Sequence, residues 1–443
     1  MRYIRKITTV ILVLVTSSFF LIACSDSPTD SGGTAKVQGQ VTDEDGNDGF
    51  TKPTGGVEGA TVTMVRASSD GSFEAVSTSS VETDANGYFT VETDVENESN
   101  LIVQAEKNGM TWRSVVTAEV QSDATVESKP MTEESTVEAG VYAEARADGS
   151  ADTWTSTSIK SNINASVATE VRGNTSAYAD LAAAIQNEAD AEAAALMEIS
   201  NKSQADVDAI AEAQADAQAN LESNLYAAGS SSAKEQAYTD FYSSVEAGYE
   251  DEDVNDKERS KALSVSGKVL VESASNLDSD VRTALKQKSS TEIAAAMDDA
   301  VQAQLNTIGA SQNTVQAAAD ANAALQTRIE SAQTMSDIEA AFSTYHDSVV
   351  AHTQTAAESN ANIQSSVVAD IDSGINASGG AKATLDAAIQ AAIATGINVN
   401  AIVTAYTEFF SAIRSTVESS FSTAGSAEVE AVTDLLILAN ISV

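Results

Sequence analysis

Residues 175–225 read TSAYADLAAAIQNEADAEAAALMEISNKSQADVDAIAEAQADAQANLESNL, and this stretch decides the fold. Its larger apolar residues fall at Tyr178, Leu181 and Ile185, at Leu196 and Ile199, at Val207 and Ile210, and at Leu221 and Leu225. Steps of three and four place such residues on one face of an α-helix. The residues between them are mostly Ala, Glu and Gln, all good helix formers. The pattern extends far beyond these residues. Pro130 is the last of three prolines, and the 313 residues after it hold 12 glycines, mostly at breaks such as Gly173, Gly229, Gly309, Gly379-Gly380 and Gly425. Residues 131–443 are therefore expected to form an Ala-rich, acidic helical domain. Ser232-x-x-Glu235, Ser289-x-x-Glu292 and Ser336-x-x-Glu339 have the form of capping boxes and predict helix starts.

Weak repeats run through this region. The phrase Ala237-Tyr238-Thr239-Asp240-Phe241-Tyr242 parallels Ala341-Phe342-Ser343-Thr344-Tyr345-His346 and Ala405-Tyr406-Thr407-Glu408-Phe409-Phe410, with a faint copy at Ala177-Tyr178. The intervals of 60, 104 and 64 residues suit pairs of helices with turns, so an antiparallel bundle or a helical-hairpin repeat is expected. Aromatic residues at i, i+3 and i+4 on an alanine-rich helix predict a bulky core layer before a ligand box.

Charge narrows the function. The chain of 443 residues carries 65 acidic and 24 basic side chains, a net charge of −41. Nucleic acid and anionic lipid headgroups would repel it, so no nucleic-acid partner is expected. A single Cys and two His make a thiolate cage or a His-rich metal centre untenable. His346 and His352 stand six apart, on different faces of one helix. The acidic excess suits high external salt, which screens self-repulsion.

Residues 37–130 have a different period. β-branched and polar residues alternate in Val37–Val41, 57–65, 76–81, 88–91, 101–105 and 114–116, with turns at Asp43-Glu44-Asp45-Gly46, Ser69-Asp70-Gly71 and Thr83-Asp84-Ala85-Asn86-Gly87. A small β-sandwich is expected. The segments GQVTDEDG, GVEGATVTMV, TDANGYFTVE and LIVQAEKNGMTWRSV together resemble the carboxypeptidase regulatory-like domain, a transthyretin-like sandwich. The match rests on Gly39, Val41, Asp43, Gly46, Val57, Gly59-Ala60, Val62, Thr83-Asp84, Gly87-Tyr88-Phe89, Val103, Ala105 and Gly109, and departs from the family in the longer loop 47–56. The resemblance implies an accessory module without catalysis. In the loop 43–49, Asp43, Asp45 and Asn47 alternate as calcium ligands do. Asp48 stands where an EF-hand-like loop needs Gly and no Glu follows in register, so a solvated acidic turn is preferred to calcium. A unit of 36–130 is expected to fold on its own.

The first 23 residues have the form of a secretory signal: Arg2, Arg5 and Lys6, then an apolar run from Ile7 to Phe20, then Leu21-Ile22-Ala23 before Cys24. This ending resembles the bacterial lipobox, which implies cleavage before Cys24 and acylation of that residue. Multiple acyl chains anchor stably where one would be marginal. Ser25 rather than Asp after the cysteine resembles the pattern sorted to the outer membrane. Residues 24–36 are then the lipidated Cys and a flexible tether, whose 12 residues after Cys24 span about 20 Å.

The sequence thus predicts an α+β multidomain chain, a small N-terminal β-sandwich followed by a long helical region. Its expected role is that of a non-enzymatic, lipid-anchored envelope protein with structural or binding work. The membrane is its partner through the acyl chains on Cys24; no catalytic residue, cofactor or metal is expected. The alternative is a helical-domain enzyme or transport component with an unrecognised site. Carboxylate pairs such as Asp251-Asp253, Asp278-Asp280 and Asp298-Asp299 are too common to single one out. The apolar run Leu435-Leu436-Ile437-Leu438-Ala439 is too short to span a bilayer and is expected to pack as the last helix.

Overall fold

The computed structural model describes residues 34–42, 55–76, 79–93, 101–172, 174–228, 230–394, 396–421 and 425–443. The lipobox with Cys24, most of the tether and the acidic loop 43–49 lie outside the described residues. Among the described residues, eight strands precede fourteen α-helices, an α+β architecture whose bulk is helical.

Strand β1 (Ala35–Gln40) pairs antiparallel with β5 (Tyr88–Thr93) and parallel with β8 (Thr125–Glu127). A second sheet is built on β2 (Thr61–Ala67), β6 (Leu101–Lys107) and β7 (Met110–Val116), with short β3 (Phe73–Ala75) and β4 (Val81–Glu82) beside β2. Alternation does what it predicts: Val37, Val62, Met64, Phe89, Leu101, Val103 and Trp112 fill one core between the sheets. Gly87 takes φ +79 in the turn before β5, where a Cβ would come within 2.3 Å of the Val41 carbonyl oxygen.

The outer face of the larger sheet is also apolar, and helices cover it. Val65, Ala67, Ile102 and Val115 share one core with Val141 and Tyr142 of α1 (Glu133–Ala147) and with Leu181 and Ile185 of α4 (Thr175–Ile199). At the N-terminus of α1, Thr132 and Ser135 cap each other reciprocally. Ser135 Oγ also donates to the Arg113 carbonyl at 2.6 Å, and Thr136 Oγ1 accepts from the Arg113 N–H at 3.0 Å. These bonds close the free edge of β7. The change of period at Pro130 marks where strands give way to helices, but the hydrophobic core runs across it. In residues 36–130 alone, Val65, Ala67, Ile102 and Val115 would lack the helices that cover them in the full chain.

Helix α2 (Thr153–Asn162) and short α3 (Ala165–Val171) lead into α4, whose close approach to α1 depends on Gly140: a Cβ there would meet the Tyr178 ring at 2.5 Å. The expected hairpins are present. Helix α5 (Gln204–Ala227) packs on α6 (Ser231–Asp251), and α8 (Ser279–Ile308) on α9 (Gln312–Glu330). Likewise α9 packs on α10 (Met335–Glu358), and α12 (Ala381–Ile393) on α13 (Val399–Ser420). The stack is not a simple repeat, because α7 (Asp256–Ser273) lies along both α4 and α8. Helix α14 (Ala427–Asn440) is buried at Val429 and from Ala431 onward against α8, α10 and α13, so the C-terminal apolar run does pack as a last helix. No described helix is long and apolar enough to cross a membrane.

The aromatic phrases divide. Phe342 and Tyr345 in α10, and Tyr406, Phe409 and Phe410 in α13, are buried core as expected. In α6, by contrast, Tyr242 is exposed and with Phe241 lines a cavity. The expected capping boxes are displaced. Ser230 caps α6, and Thr334 with Asp337 forms the reciprocal box of α10, two residues before Ser336. Ser289 is not a helix start; it lies inside α8, where its small side chain faces Gly267 of α7. A Ser-x-x-Glu pattern serves equally well inside a helix when the neighbour must come close.

With 24 basic side chains against 65 acids, ion pairing leaves most carboxylates without a cation. Like charges on a helix face repel by a few tenths of a kcal/mol per i,i+4 pair. Screening at ~1 M salt removes most of this. The melting temperature of the full chain is therefore expected to be several degrees higher in ~1 M NaCl or KCl than in ~0.01 M. Calorimetry showing a melting temperature flat in both salts would refute this account.

Candidate functional site

A cavity of about 660 Å³ opens between α2, α4, α6, α7 and α8. Its floor is set by α4. Glu188 and Glu192 stand one turn apart on the same face as Leu181, Ile185 and Leu196, so the helix that buries those residues also buries two carboxylates. Asn162 ends α2 beside them. Its Nδ2 donates to Glu188 and to the Ser158 carbonyl at 3.0 Å. Both partners are acceptors, which fixes the amide orientation. Oδ1 is then left buried without a hydrogen-bond partner, on a residue that is 2% exposed.

Tyr249 of α6 donates its hydroxyl to Glu192 and accepts from Gln214 Nε2 of α5 at 3.0 Å. Arg259 of α7 lies 5.1 Å from the centre of the Tyr249 ring, with its Nε buried and unpartnered. From α8, Lys288 pairs with Glu292 one turn on. Gln287 donates to the Ile329 and Glu330 carbonyls at 2.8 Å and so holds α8 against the end of α9.

Electrostatics follow from burial. Loss of water pushes Glu192 up to about 7, against a pull downward by the Tyr249 hydrogen bond. Burial likewise holds Glu188 well above the usual carboxylate range, partly offset by Lys288. Burial opposes the charge of Lys288, but the Glu292 and Glu188 carboxylates outweigh it and raise the lysine. Burial, then the neighbouring Glu192, holds Tyr249 far above its ordinary range, so it remains a neutral donor. The cavity lining counts six acids (Glu188, Glu192, Glu246, Glu292, Asp299, Glu330) against Arg259 and Lys288.

At one side, Glu246, Asp256 and Asp299 each bring an oxygen within 4.8 Å of the others, and these three could hold a divalent cation. A second cleft, of about 670 Å³, lies beside Trp154, but its carboxylates Asp152, Asp190, Asp208 and Glu212 are exposed. The two histidines are not brought together. His346 Nε2 meets Asp372 at 3.0 Å, and that bond raises its titration, whereas burial lowers that of His352. The site expected at Cys24 cannot be placed, since it lies outside the described residues. None of the buried cavity groups was singled out by motif. The signal available was the gap in the apolar stripe between Ile185 and Leu196, filled at helical spacing by Glu188 and Glu192.

No known protein family, no curated protein and no solved structure matches this chain.

Proposed function

We propose that this chain is a non-enzymatic binding protein of the cell envelope, lipid-anchored at the outer membrane, whose helical body takes a small polar molecule into the cavity beside Glu188 and Glu192. The observation that carries the reading is that cavity. It has the volume of a small-molecule site, rigid helical walls and convergent buried polar groups, one of them (Asn162 Oδ1) lacking a partner. The β-sandwich, which resembles the carboxypeptidase regulatory-like domain, serves as the accessory module between anchor and body. The anchor rests on Leu21-Ile22-Ala23-Cys24. Native mass spectrometry of the full chain released gently from envelopes is expected to show a small-molecule adduct that Asn162→Leu weakens. A mass without adduct, together with no thermal shift in a broad solute panel, would remove the binding role.

Cys24→Ala is expected to abolish incorporation of labelled fatty acid and leave an unprocessed or soluble product. An unlabelled wild-type chain ends the lipoprotein reading.

A second reading, a helical-domain enzyme, draws on Glu192. A carboxyl titrating near neutrality and held by a tyrosine has the character of a general acid–base. Under that reading the adduct is turned over; under the first it is released unchanged.

A further inference from the structure

Resting on the binding role above, we propose that the cavity between α2, α4, α6, α7 and α8 selects an organic polyamine, a cation carrying at least two ammonium groups on an alkyl chain. Three features converge on that chemistry. The first is charge: six acids against two bases line the cavity, and although burial favours the protonated form of Glu188 and Glu192, the other four acids still outnumber the bases, of which Lys288 is already paired with Glu292. A neutral sugar or an anion would leave that imbalance standing, whereas two ammonium groups reduce it.

The second is hydrogen bonding. The unpartnered Asn162 Oδ1 is an acceptor, and the adjoining Glu188 and Glu192 carboxylates have lone pairs left after their bonds from Asn162 and Tyr249. An ammonium group offers three N–H donors and no acceptor, the complement of this floor. A quaternary ammonium has no N–H and could satisfy none of it. Arg259, over the Tyr249 ring beside Glu192, has its Nε as a lone donor and gives no site for a second positive group there. The ligand's other ammonium is directed instead toward Glu246 and Asp299.

The third is size and apolar lining. A bare metal ion would leave most of about 660 Å³ unfilled. Phe241, Tyr242 and Val245 of α6 add apolar surface to the same lining, against which methylene groups would lie. Aromatic faces also attract ammonium groups.

Binding of this kind has a proton signature. The groups around Glu192 are Glu188 on its own helix, Tyr249 from α6, Arg259 from α7, and Lys288 and Glu292 from α8. The neutral Gln214 and Asn162 are contributed by α5 and α2. With Glu192 at about 7, roughly half of the free protein carries its proton at pH 7. An ammonium placed against it favours the carboxylate and expels that proton.

The test is isothermal titration of the full chain with spermidine and putrescine at pH 7, in two buffers of different ionisation enthalpy. Calcium chloride, glycine betaine, glutamine and maltose complete the panel. Spermidine is expected to bind, with release of up to about half a proton from Glu192. Glu192→Gln should remove the part of the release that comes from Glu192, leaving only what Glu188 contributes, while spermidine still binds. Asn162→Leu and Glu188→Gln should each weaken spermidine at least tenfold, and the circular-dichroism melt of each variant reports whether it is folded. His346→Ala, remote from the cavity, should change nothing. Binding of maltose, glutamine or betaine with spermidine silent overturns the polyamine assignment and leaves the binding role standing. Calcium alone binding, and lost in Asp299→Asn, overturns it in favour of the three-carboxylate cluster. Silence across the whole panel overturns the polyamine assignment, and the binding role falls separately if the envelope-derived chain also lacks an adduct.

Discussion

Lys160→Met is expected to destabilise the protein by about 3–5 kcal/mol, the usual cost of leaving one partner of a buried ion pair alone. Lys160 lies in α2 and Glu222 in α5, and the two side chains are in direct contact, 4% and 1% exposed. Both reach back to the end of β7. Lys160 Nζ donates to the Val115 carbonyl at 3.0 Å and to Thr117, while Thr117 Oγ1 donates to Glu222 at 2.6 Å. One buried network thus joins the larger sheet to two helices, across the boundary where the chain changes period. Removing the lysine strands the Glu222 carboxylate in a water-poor site. The double variant Lys160→Met, Glu222→Leu is expected to recover most of the loss, since no charge is left buried. Recovery should stop short of wild type, because Thr117 then lacks an acceptor, at about 1–3 kcal/mol. Urea unfolding followed by hydrogen exchange on β6–β7 and on α4 would measure both quantities. A single variant costing under about 1 kcal/mol would mean that the pair is effectively solvated.

How much of this was legible in the sequence depends on what each element shows to its neighbours. The alternation in β1 and β5 and the three-four stripes in α4, α10 and α13 are repeated many times over, so both halves of the fold were readable. Helix α2 was not. Its sequence, TWTSTSIKSN, has only Trp154 and Ile159 as apolar members, yet eight of its ten residues are buried. It is held between larger elements by hydrogen bonds such as Thr155 Oγ1 to Gln186 at 2.6 Å, and no periodicity records such a position. The shared core across Pro130 was hidden for a related reason. Val65, Ile102 and Val115 lie on the face opposite the sandwich core, and alternation does not say what a second apolar face packs against.

The cavity was half legible. Leu181, Ile185, Leu196 and Ile199 form a stripe in the sequence, and Glu188 and Glu192 occupy the missing turns of that stripe. A charged residue in a core register breaks local consistency, and such breaks gather at functional sites. In a chain with 65 acids, two glutamates at this spacing do not stand out. The Ser289-x-x-Glu292 pattern predicts a helix start, whereas Glu292 lies mid-helix, pairs with Lys288 and lines the cavity.

That break carries a cost which pH should reveal. Glu192 titrates at about 7 in the folded chain, against an ordinary value of 4.5 that the unfolded chain keeps. Below 4.5 both states hold the proton and nothing is lost. As pH rises from 4.5 to about 7 the unfolded state ionises first, so stability falls through that window and levels off above it. The loss is about 3 kcal/mol. Glu188 is shifted in the same direction by the same burial and adds to the slope. Glu192→Gln keeps an acceptor for the Tyr249 hydroxyl and removes the charge. Relative to wild type, it is expected to be unchanged near pH 4.5 and more stable by up to about 3 kcal/mol at pH 8. Taking the difference between the two proteins cancels carboxylates shifted the other way, such as Asp206 and Asp337, which their capping hydrogen bonds hold low. Denaturant unfolding at five pH values measures it. A difference that stays constant with pH would show that Glu192 ionises as freely inside the fold as outside it. A difference that opens between pH 4.5 and 7 identifies a fold that holds an ionised carboxylate in its core at a loss. A cationic ligand bound against Glu192 would offset that loss, and the same variant should then gain stability and lose the Glu192 share of the proton release together.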